Sequence, residues 1–544
     1  MPRAFSAKFH LRAIAAGVTL LVIHSGCERP PKPQPAAGVK APDKSPPKDP
    51  VAAREKTPPA DAGKSTQMPV DEAAKRPSKA EKFADWPKPA VALVLTGQLM
   101  GYIEPCGCSG LENQKGGLAR RHTLLRLLAE ERGWDVVPLD VGNQVKSFGK
   151  EQELKFTSVI QGLRTMGYRA MTLGDGDLRL TPGEILASIA GNDGTTHDVI
   201  GSNVAVLARE LQPRSLVHEV AGLKIGVTAV LGEKYEARLR GDEIVHELPR
   251  DGLKAATEEL QSQKCDFLVL LAHASLDEAR KLAQEQPVFD LVVASGETSL
   301  PSHELEEVKG TKTRLMQVGQ KAMYAGIVGI FPNETPKLRY ESVPLDGRFG
   351  DSPEMLQLLA DFQAQLKELG LDGLSIKLQP HPSGKQFVGT SACADCHSKA
   401  YETWKGTAHA HATETLVQPP NSRGAIARHF DPECISCHVT GWEPQLHYPF
   451  DSGFLSLEQT PLMKEVGCEN CHGPGSAHVA AENGVGNLST DAIAKIRVAM
   501  RLPLDGEGAE RKCIECHDLD NSPDFHKPGA FETYWKKIEH PGKD

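Results

Sequence analysis

The hydrophobic pattern divides the chain into stretches of different character. Ala13 to Ile23 is one apolar run, preceded by Arg3, Lys8 and Arg12. From Glu28 to about Ala90 large apolar side chains almost vanish among Pro, Lys, Ala and Asp. Such a stretch cannot bury enough surface to offset its ordering entropy, and its prolines keep it extended, so 28–90 is expected to be a disordered tether. From Val91 short aliphatic runs alternate with helical stretches. Val91–Leu95, Val136–Asp140, Leu223–Val227, Phe267–Leu271 and Leu291–Val293 predict buried strands, and Leu118–Glu131 and Leu276–Gln284 predict helices. Strands alternating with helices predict a layered α/β domain over 91–347. Ser352-Pro353 opens a helix in which Met355, Leu359, Phe362, Leu366 and Leu369 recur at spacings of three and four, with Gly370 as its end. That helix and a linker fill 348–384. From Lys385 to Asp544 the pattern is loop-rich.

A length of 544 residues exceeds one ordinary core, in keeping with several domains. Aromatic residues are only 5% of the chain against 40% hydrophobic, so the cores are expected to be aliphatic. A net charge of -9 argues against a nucleic-acid partner, which calls for a basic face. The apolar run at the start has signal-peptide length and is too short to span a bilayer. It ends in His24-Ser25-Gly26-Cys27, which resembles a bacterial lipobox except that Leu is usual where His24 stands. Residues 1–27 are thus expected to be a lipoprotein signal, with Cys27 lipidated and the protein periplasmic and membrane-anchored. Ordinary secretion, with Cys27 incidental, is the alternative, and it also places the protein outside the cytoplasm.

Of 12 cysteines, eight fall in four C-x-x-C-H runs: Cys393/Cys396/His397, Cys434/Cys437/His438, Cys468/Cys471/His472 and Cys513/Cys516/His517. The spacing has a chemical reason. Two thiols add to the two vinyl groups of haem and the following imidazole ligates iron. A zinc site would use two C-x-x-C pairs per metal and would not need a His after each. Four covalently bound haem c groups are therefore expected, with His397, His438, His472 and His517 as proximal ligands. The region also holds His381, His409, His411, His429, His447, His478, His526 and His540 as possible second ligands; His540 reads as a surface residue. Met463 and Met500 are its only methionines, so Met ligation is limited.

Val388-Gly-Thr-Ser-Ala-Cys-Ala-Asp-Cys-His397, Ala400-Tyr-Glu-Thr-Trp404, His409-Ala-His411 and Cys468-Glu-Asn-Cys-His-Gly-Pro-Gly-Ser-Ala-His478 resemble the tetrahaem cytochrome c family typified by the electron carrier of nitrifying bacteria. The resemblance covers about the last 160 residues. It implies a mainly helical, loop-rich domain of close-packed haems with mostly bis-His ligation, passing single electrons to redox partner proteins. It also implies His409 or His411 and His478 as distal ligands, with His429 and His526 as further candidates.

Residues 91–345 resemble the calcineurin-like 5′-nucleotidases, through Gly101-Tyr102, Gly116-Gly-Leu-Ala-Arg-Arg121, Leu139-Asp-Val-Gly142, Gly167–Gly174, Ser202-Asn-Val204 and Leu271-Ala-His273. That implies a four-layer αββα metallophosphoesterase-like domain. Such enzymes activate water between two metal ions. Here Gln98 and Met100 stand where Asp and His are expected, Asn143 replaces an Asp, Asp175-Gly176-Asp177 replaces Asn-His-Glu, and Glu297 and Ser299 replace two His. His273 remains. Glu104-Pro-Cys106-Gly-Cys108 follows the first strand instead, a pair able to form a strained, redox-labile disulfide or bind a soft metal ion, or else to stay structural. Cys265 precedes a core strand and reads as inert. An electron-transfer protein, with Cys106 and Cys108 as its candidate reactive residues, is the preferred reading. A phosphoesterase with a cytochrome module, and a binding module tethered to a cytochrome, are the alternatives. The oligomeric state is not legible.

Overall fold

The computed structural model describes residues 82–105, 114–236, 239, 243–420, 424–502 and 508–542. Cys27, Cys106 and Cys108 lie outside the described residues, as does nearly all of the expected tether.

Thirteen strands build the α/β region: β1 (Val91–Thr96), β2 (Val136–Asp140), β3 (Ala170–Met171), β4 (Val204–Val206), β5 (Ser215–Val220), β6 (Leu223–Leu231), β7 (Ile244–His246), β8 (Phe267–His273), β9 (Leu291–Ala294), β10 (Glu306–Glu307), β11 (Arg314–Gln317), β12 (Tyr324–Ile330) and β13 (Leu338–Pro344). One sheet has the order β13-β12-β1-β2-β3, the second β10-β11-β9-β8-β6-β5. Both are mixed. β1 runs parallel to β2 and antiparallel to β12, while β6, β8, β9 and β11 are mutually parallel.

Alternation along the strands explains the layers. In β1, Val91, Leu93 and Leu95 face a core shared with Val227, Val269, Leu271 and Val293 of the other sheet. Ala92 and Val94 point the opposite way, onto Leu118, Phe156 and Leu358 of three helices. The outer face of the second sheet, with Leu268, Leu270 and Ala272, packs on the helices Pro249–Ser262 and Leu276–Glu285. Helix, sheet, sheet, helix is the four-layer order. Burial on both faces is why β1 and β8 read as unbroken apolar runs.

Two boundaries differ from expectation. Phe83 and Trp86 are buried against Trp134, so ordered structure begins by Lys82 rather than at 91. The helix Pro353–Gly373 is no mere connector: Met355, Leu358, Leu359, Phe362 and Leu366 belong to the core under the first sheet. Gly370, at φ 57°, breaks it where the sequence placed its end.

From Ser391 onward the chain is short helices and turns, with one two-stranded ribbon, β14 (Trp442–Glu443) and β15 (Tyr448–Pro449). Its apolar cluster is small, centred on Phe387, Ile435, Val439, Trp442, Phe450 and Phe454. No helix among the described residues is long and apolar enough to cross a membrane.

Candidate functional site

Each C-x-x-C-H run begins on or beside a helix of one or two turns: Ser391–Ala394, Pro432–Ile435, Cys468–His472 and Gly508–Ile514. A spacing of three puts both thiols on one side of such a turn, and the next residue places its ring beside them. The turns are closed by backbone bonds such as His397 N–H to Cys393 O at 3.0 Å and His517 N–H to Cys513 O at 2.8 Å. The runs meet in pairs. The Cys393 thiol hydrogen-bonds Cys468, and Cys516 hydrogen-bonds Cys437. These free thiols stand where thioether sulfurs would be.

The eight cysteines differ in exposure. Cys396 is exposed, whereas Cys393, Cys434, Cys437, Cys468, Cys471, Cys513 and Cys516 are half-buried. The difference has a packing cause. The turn Ser391–Ala394 contributes no buried residue, while Ile435 anchors the second turn, Glu469 the third and Ala509 the fourth. Cys396 lies on the surface side of the first run.

The imidazoles are oriented as metal ligands. His438 Nδ1 donates to Ala412 O at 2.7 Å, His472 Nδ1 donates to Met500 O at 2.8 Å, and His517 Nδ1 hydrogen-bonds Ser522 Oγ at 3.1 Å. A carbonyl on Nδ1 fixes the tautomer and leaves Nε2 as the lone-pair nitrogen. Burial, with His409 next in effect, pushes His517 down to about 4, and burial alone lowers His409. Both therefore stay neutral, the form that binds a metal.

Three pairs of rings face one another: His397 and His478 at 6.2 Å between centroids, His409 and His517 at 6.1 Å, and His472 and His540 at 5.9 Å. Nitrogens about 2 Å on either side of one metal ion leave ring centres about 6 Å apart. His411 instead points outward to Glu414 at 3.2 Å. His526 donates Nε2–H to the backbone carbonyl of His517 at 2.7 Å, and His429 packs on its neighbour Phe430. The ring of His540 is at the surface, as the sequence suggests, yet it lies against His472. Nothing in the local sequence signals that contact.

A cavity of about 1390 Å³ is lined by Cys434, Cys437, His438, Cys471, Cys513, Cys516 and His517. It exceeds the roughly 300–1,000 Å³ of an ordinary small-molecule pocket. Phe148 and Leu446, both largely exposed, line it and offer apolar surface for a macrocycle. Thiols, anchored imidazoles and apolar walls together fit covalently attached haem.

The α/β region contributes the opposite wall of the cavity through Gly101–Glu104 and Lys146–Gln152. These segments follow β1 and β2, where the resemblance places phosphoesterase ligands. Gln98, Met100 and Asn143 keep left-handed backbones, with φ of 52°, 55° and 67°. The side chains of Gln98 and Asn143 bond each other; Asn143 Nδ2 donates to Gln98 Oε1 at 2.6 Å. The fully buried Asp177 accepts backbone N–H groups of Asn143, Gln144, Val145 and Gly174 at 2.7–3.1 Å, and burial still raises it to about 6. His273 Nδ1 donates to Val141 O at 3.2 Å and its Nε2 accepts from Asp175 N at 3.3 Å. Glu297 pairs with Lys234. A Cβ on Gly176 would overlap the carbonyl of Val145, so this position has no room for the imidazole that the resemblance would put there. Among the described residues no group of three or more His, Cys, Asp or Glu is arranged to hold a metal ion.

Ion pairs join the two regions. Buried Arg428 holds Glu104, with Nη2 to Oε2 at 2.7 Å, and Lys321 holds Asp520. Glu104 is two residues before Cys106 in the sequence. Arg428→Ala is expected to cost about 3 kcal/mol, toward the lower end for breaking a buried pair because Glu104 retains some solvent. Chemical denaturation followed by circular dichroism reads it; an unchanged midpoint would show that the pair does not hold the regions together.

Residues 392–473 match the family model for cytochrome c554 and c-prime. Cytochrome c-554 of Nitrosomonas europaea is 34% identical over 148 residues, 25% of this chain and 60% of that protein. An apyrase of Aedes albopictus is 22% identical over 292 residues, 48% of this chain and 52% of the apyrase. Among solved structures, a 5′-nucleotidase precursor from Thermus thermophilus aligns with 51% of this chain and 59% of its own, at TM-score 0.42 and 18% identity. The chain spans little more than half the length of each of these relatives. It has a two-part architecture, a four-layer α/β region followed by a helical region similar to cytochrome c554.

Proposed function

We propose that this protein is an exported, lipid-anchored tetrahaem cytochrome that passes electrons in the periplasm, and that its α/β region has lost phosphoesterase activity. The observation that carries the reading is the set of three imidazole pairs about 6 Å apart, each including the His of a C-x-x-C-H run. Bound haem supplies one-electron transfer at iron. The residues of the chain do the rest. The thiols attach, the carbonyls of Ala412 and Met500 orient His438 and His472, and His409, His478 and His540 are the proposed distal ligands. The paired runs favour electron exchange between neighbouring haems without a mobile carrier. The exposed Cys396 marks the first run as the side from which a partner protein exchanges electrons. Imidazole on both faces favours the ferric state and a lower potential than Met ligation gives.

The α/β region presents its loops to the same cavity. It serves in this reading to dock a redox partner or substrate there, with Cys106 and Cys108 as a two-electron dithiol that two haems service one electron at a time. Water activation by metal needs an ion held with an open coordination position. The inward-bonded Gln98, Asn143 and Asp177 do not favour one. Full-length protein is therefore expected to show no manganese-, zinc- or magnesium-dependent hydrolysis of nucleotides or generic phosphate esters, while Cys106→Ser and Cys108→Ser alter its redox titration at unchanged haem content. Robust nucleotidase activity that survives both substitutions would establish a hydrolase with a cytochrome module instead. For the anchor, Cys27→Ser is expected to move the protein from the membrane to the soluble periplasmic fraction, because the acyl chains on a lipidated Cys retain it stably. Wild-type protein already soluble would remove the lipidation reading.

A further inference from the structure

Where the helix Lys150–Thr165 meets the second C-x-x-C-H run, four ionisable side chains gather out of water. Lys155, only 3% exposed, lies 3.1 Å from Glu151 and 3.1 Å from Glu433. Glu433 also accepts from Gln152 Nε2 at 3.1 Å. Asp431 accepts from the Glu433 backbone at 3.0 Å and from Gln363 Nε2 at 3.1 Å. All six residues line the large cavity. Lys146 flanks Glu433 at 3.9 Å, and His447 and Asp518 complete the charged surroundings from the ribbon and from the fourth run. Gln363, on the helix Pro353–Gly373, is the uncharged neighbour.

Three carboxyls thus share one buried ammonium, an excess of negative charge that a water-poor site resists. A second observation is independent of the charges. The Oε1 atoms of Gln152 and Gln363, residues 5% and 4% exposed, are buried acceptors with no donor among the described residues. Unmet buried acceptors beside surplus carboxylates call for a proton-bearing group, a carboxyl O–H or a water. The network is adjacent to haem attachment, since Asp431 caps the turn that carries Cys434 and Glu433 directly precedes that Cys.

We propose that this cluster is the proton acceptor for the haem attached at Cys434 and Cys437, with Glu151 as the group that protonates. If a haem bound there gained one electron, one proton would enter from solvent and convert the Glu151 carboxylate to the acid. The charge of the cavity is then unchanged. Burial holds Glu151 well above the ordinary carboxylate range, against the pull of Lys155. Burial acts on Glu433 too, but there Lys155, Lys146 and His447 outweigh it and keep it ionised. Burial raises Asp431 as well, but both of its oxygens already accept hydrogen bonds, which favours its ionised form. An electron added nearby, at an effective dielectric of about 20, raises the proton affinity of such a group by roughly tenfold.

The inference rests on the haem reading above, and haem content by intact mass on the same sample separates failure of that reading from failure of this one. Spectroelectrochemical titration of the full-length haem-loaded protein from pH 6 to 9 is expected to show one haem potential falling as pH rises. Full coupling is a tenfold change per pH unit, about 59 mV for one electron. Glu151→Gln is expected to flatten that slope with the other potentials and the haem count unchanged, while Glu184→Gln, at an exposed ion pair with Lys150, keeps it. A slope that persists in Glu151→Gln assigns the proton to the haem carboxylates and overturns the proposal, as does a flat wild type. If Glu151→Gln fails to load haem, proton uptake by the wild type, read with an indicator dye during reduction in weak buffer, decides. About one proton per chain supports the coupling, and none overturns it.

Discussion

Four covalent haems per chain is the expected result when the full-length protein is made in a host with cytochrome c maturation and weighed intact under denaturing conditions. Each C-x-x-C-H run brings two thiols and an imidazole to one side of a helical turn, so each is complete in itself. Replacing both cysteines of one run by alanine is expected to lower the mass by one haem and leave the other three. The effect on folding differs between runs. The second and fourth line the central cavity of about 1390 Å³, where Cys437 meets Cys516, and the apolar cluster of this region is small. Bound groups that occupy only the folded state stabilise it by their binding free energy. Losing the haem at Cys434/Cys437 or Cys513/Cys516 is therefore expected to lower the melting temperature by several degrees, with the α/β region, which has its own three apolar cores, melting separately. Attachment of zero or one haem in the wild type would sink the cytochrome reading of the whole C-terminal region.

What the sequence makes legible follows the range of the interactions involved. The haem runs are local: five consecutive residues carry the chemistry, so they read directly. Their surroundings do not, which is why Cys396 could not be told from its seven counterparts until the turn around it proved to bury nothing. Strands β1, β8 and β9 are buried on both faces and appear as aliphatic runs. Strands β5, β12 and β13 do not. Ser215–Val220 and Leu338–Pro344 are half-buried edges with polar residues interspersed, and Tyr324–Ile330 carries glycines. β5 pairs with its hairpin neighbour β6 and β13 with β12, while β12 also pairs with the distant β1, and period and propensity say little about such half-buried or glycine-bearing strands. Distance in sequence hides the contacts between the two regions. Glu104 and Arg428 are 324 positions apart, and neither residue type is unusual on a surface. Lys155 reads as the polar face of a helix, yet the second haem run packs on that face and makes it part of a buried cluster. Departures from the resemblance, such as Asp175-Gly176-Asp177, can be listed from the sequence, but the backbone donors to Asp177 cannot, because three of the four come from the loop after β2.

Distal ligation carries the second large expected effect. His409, His478 and His540 each face a different proximal imidazole, whereas His411, only two residues from His409, turns out to Glu414. His409→Ala, His478→Ala and His540→Ala are each expected to convert one of the four haems from low-spin to high-spin, about a quarter of the Soret and α-band intensity, and to raise the potential of that haem as an imidazole is lost. His411→Ala and His526→Ala are expected to leave the spectrum as it is, because His411 points away and His526 Nε2 is spent on the carbonyl of His517. The comparison between His409 and His411 is the sharpest arm. Two residues along a single short turn, Ala408–His411, differ only in which side they present. His540 is the most informative arm, since its ring is exposed and, among the described residues, is held by Nδ1 to Pro541 O at 2.8 Å and by the facing ring of His472. If it ligates, its loss opens the iron at Cys468/Cys471 to added cyanide or imidazole, and ligand uptake rises by one equivalent per chain over the wild type. If His540→Ala changes neither spin state nor ligand uptake, while His411→Ala or His526→Ala does, the ring pairs seen here are not the ligand pairs, and the distal assignment must be redrawn around His411, His429 and His526.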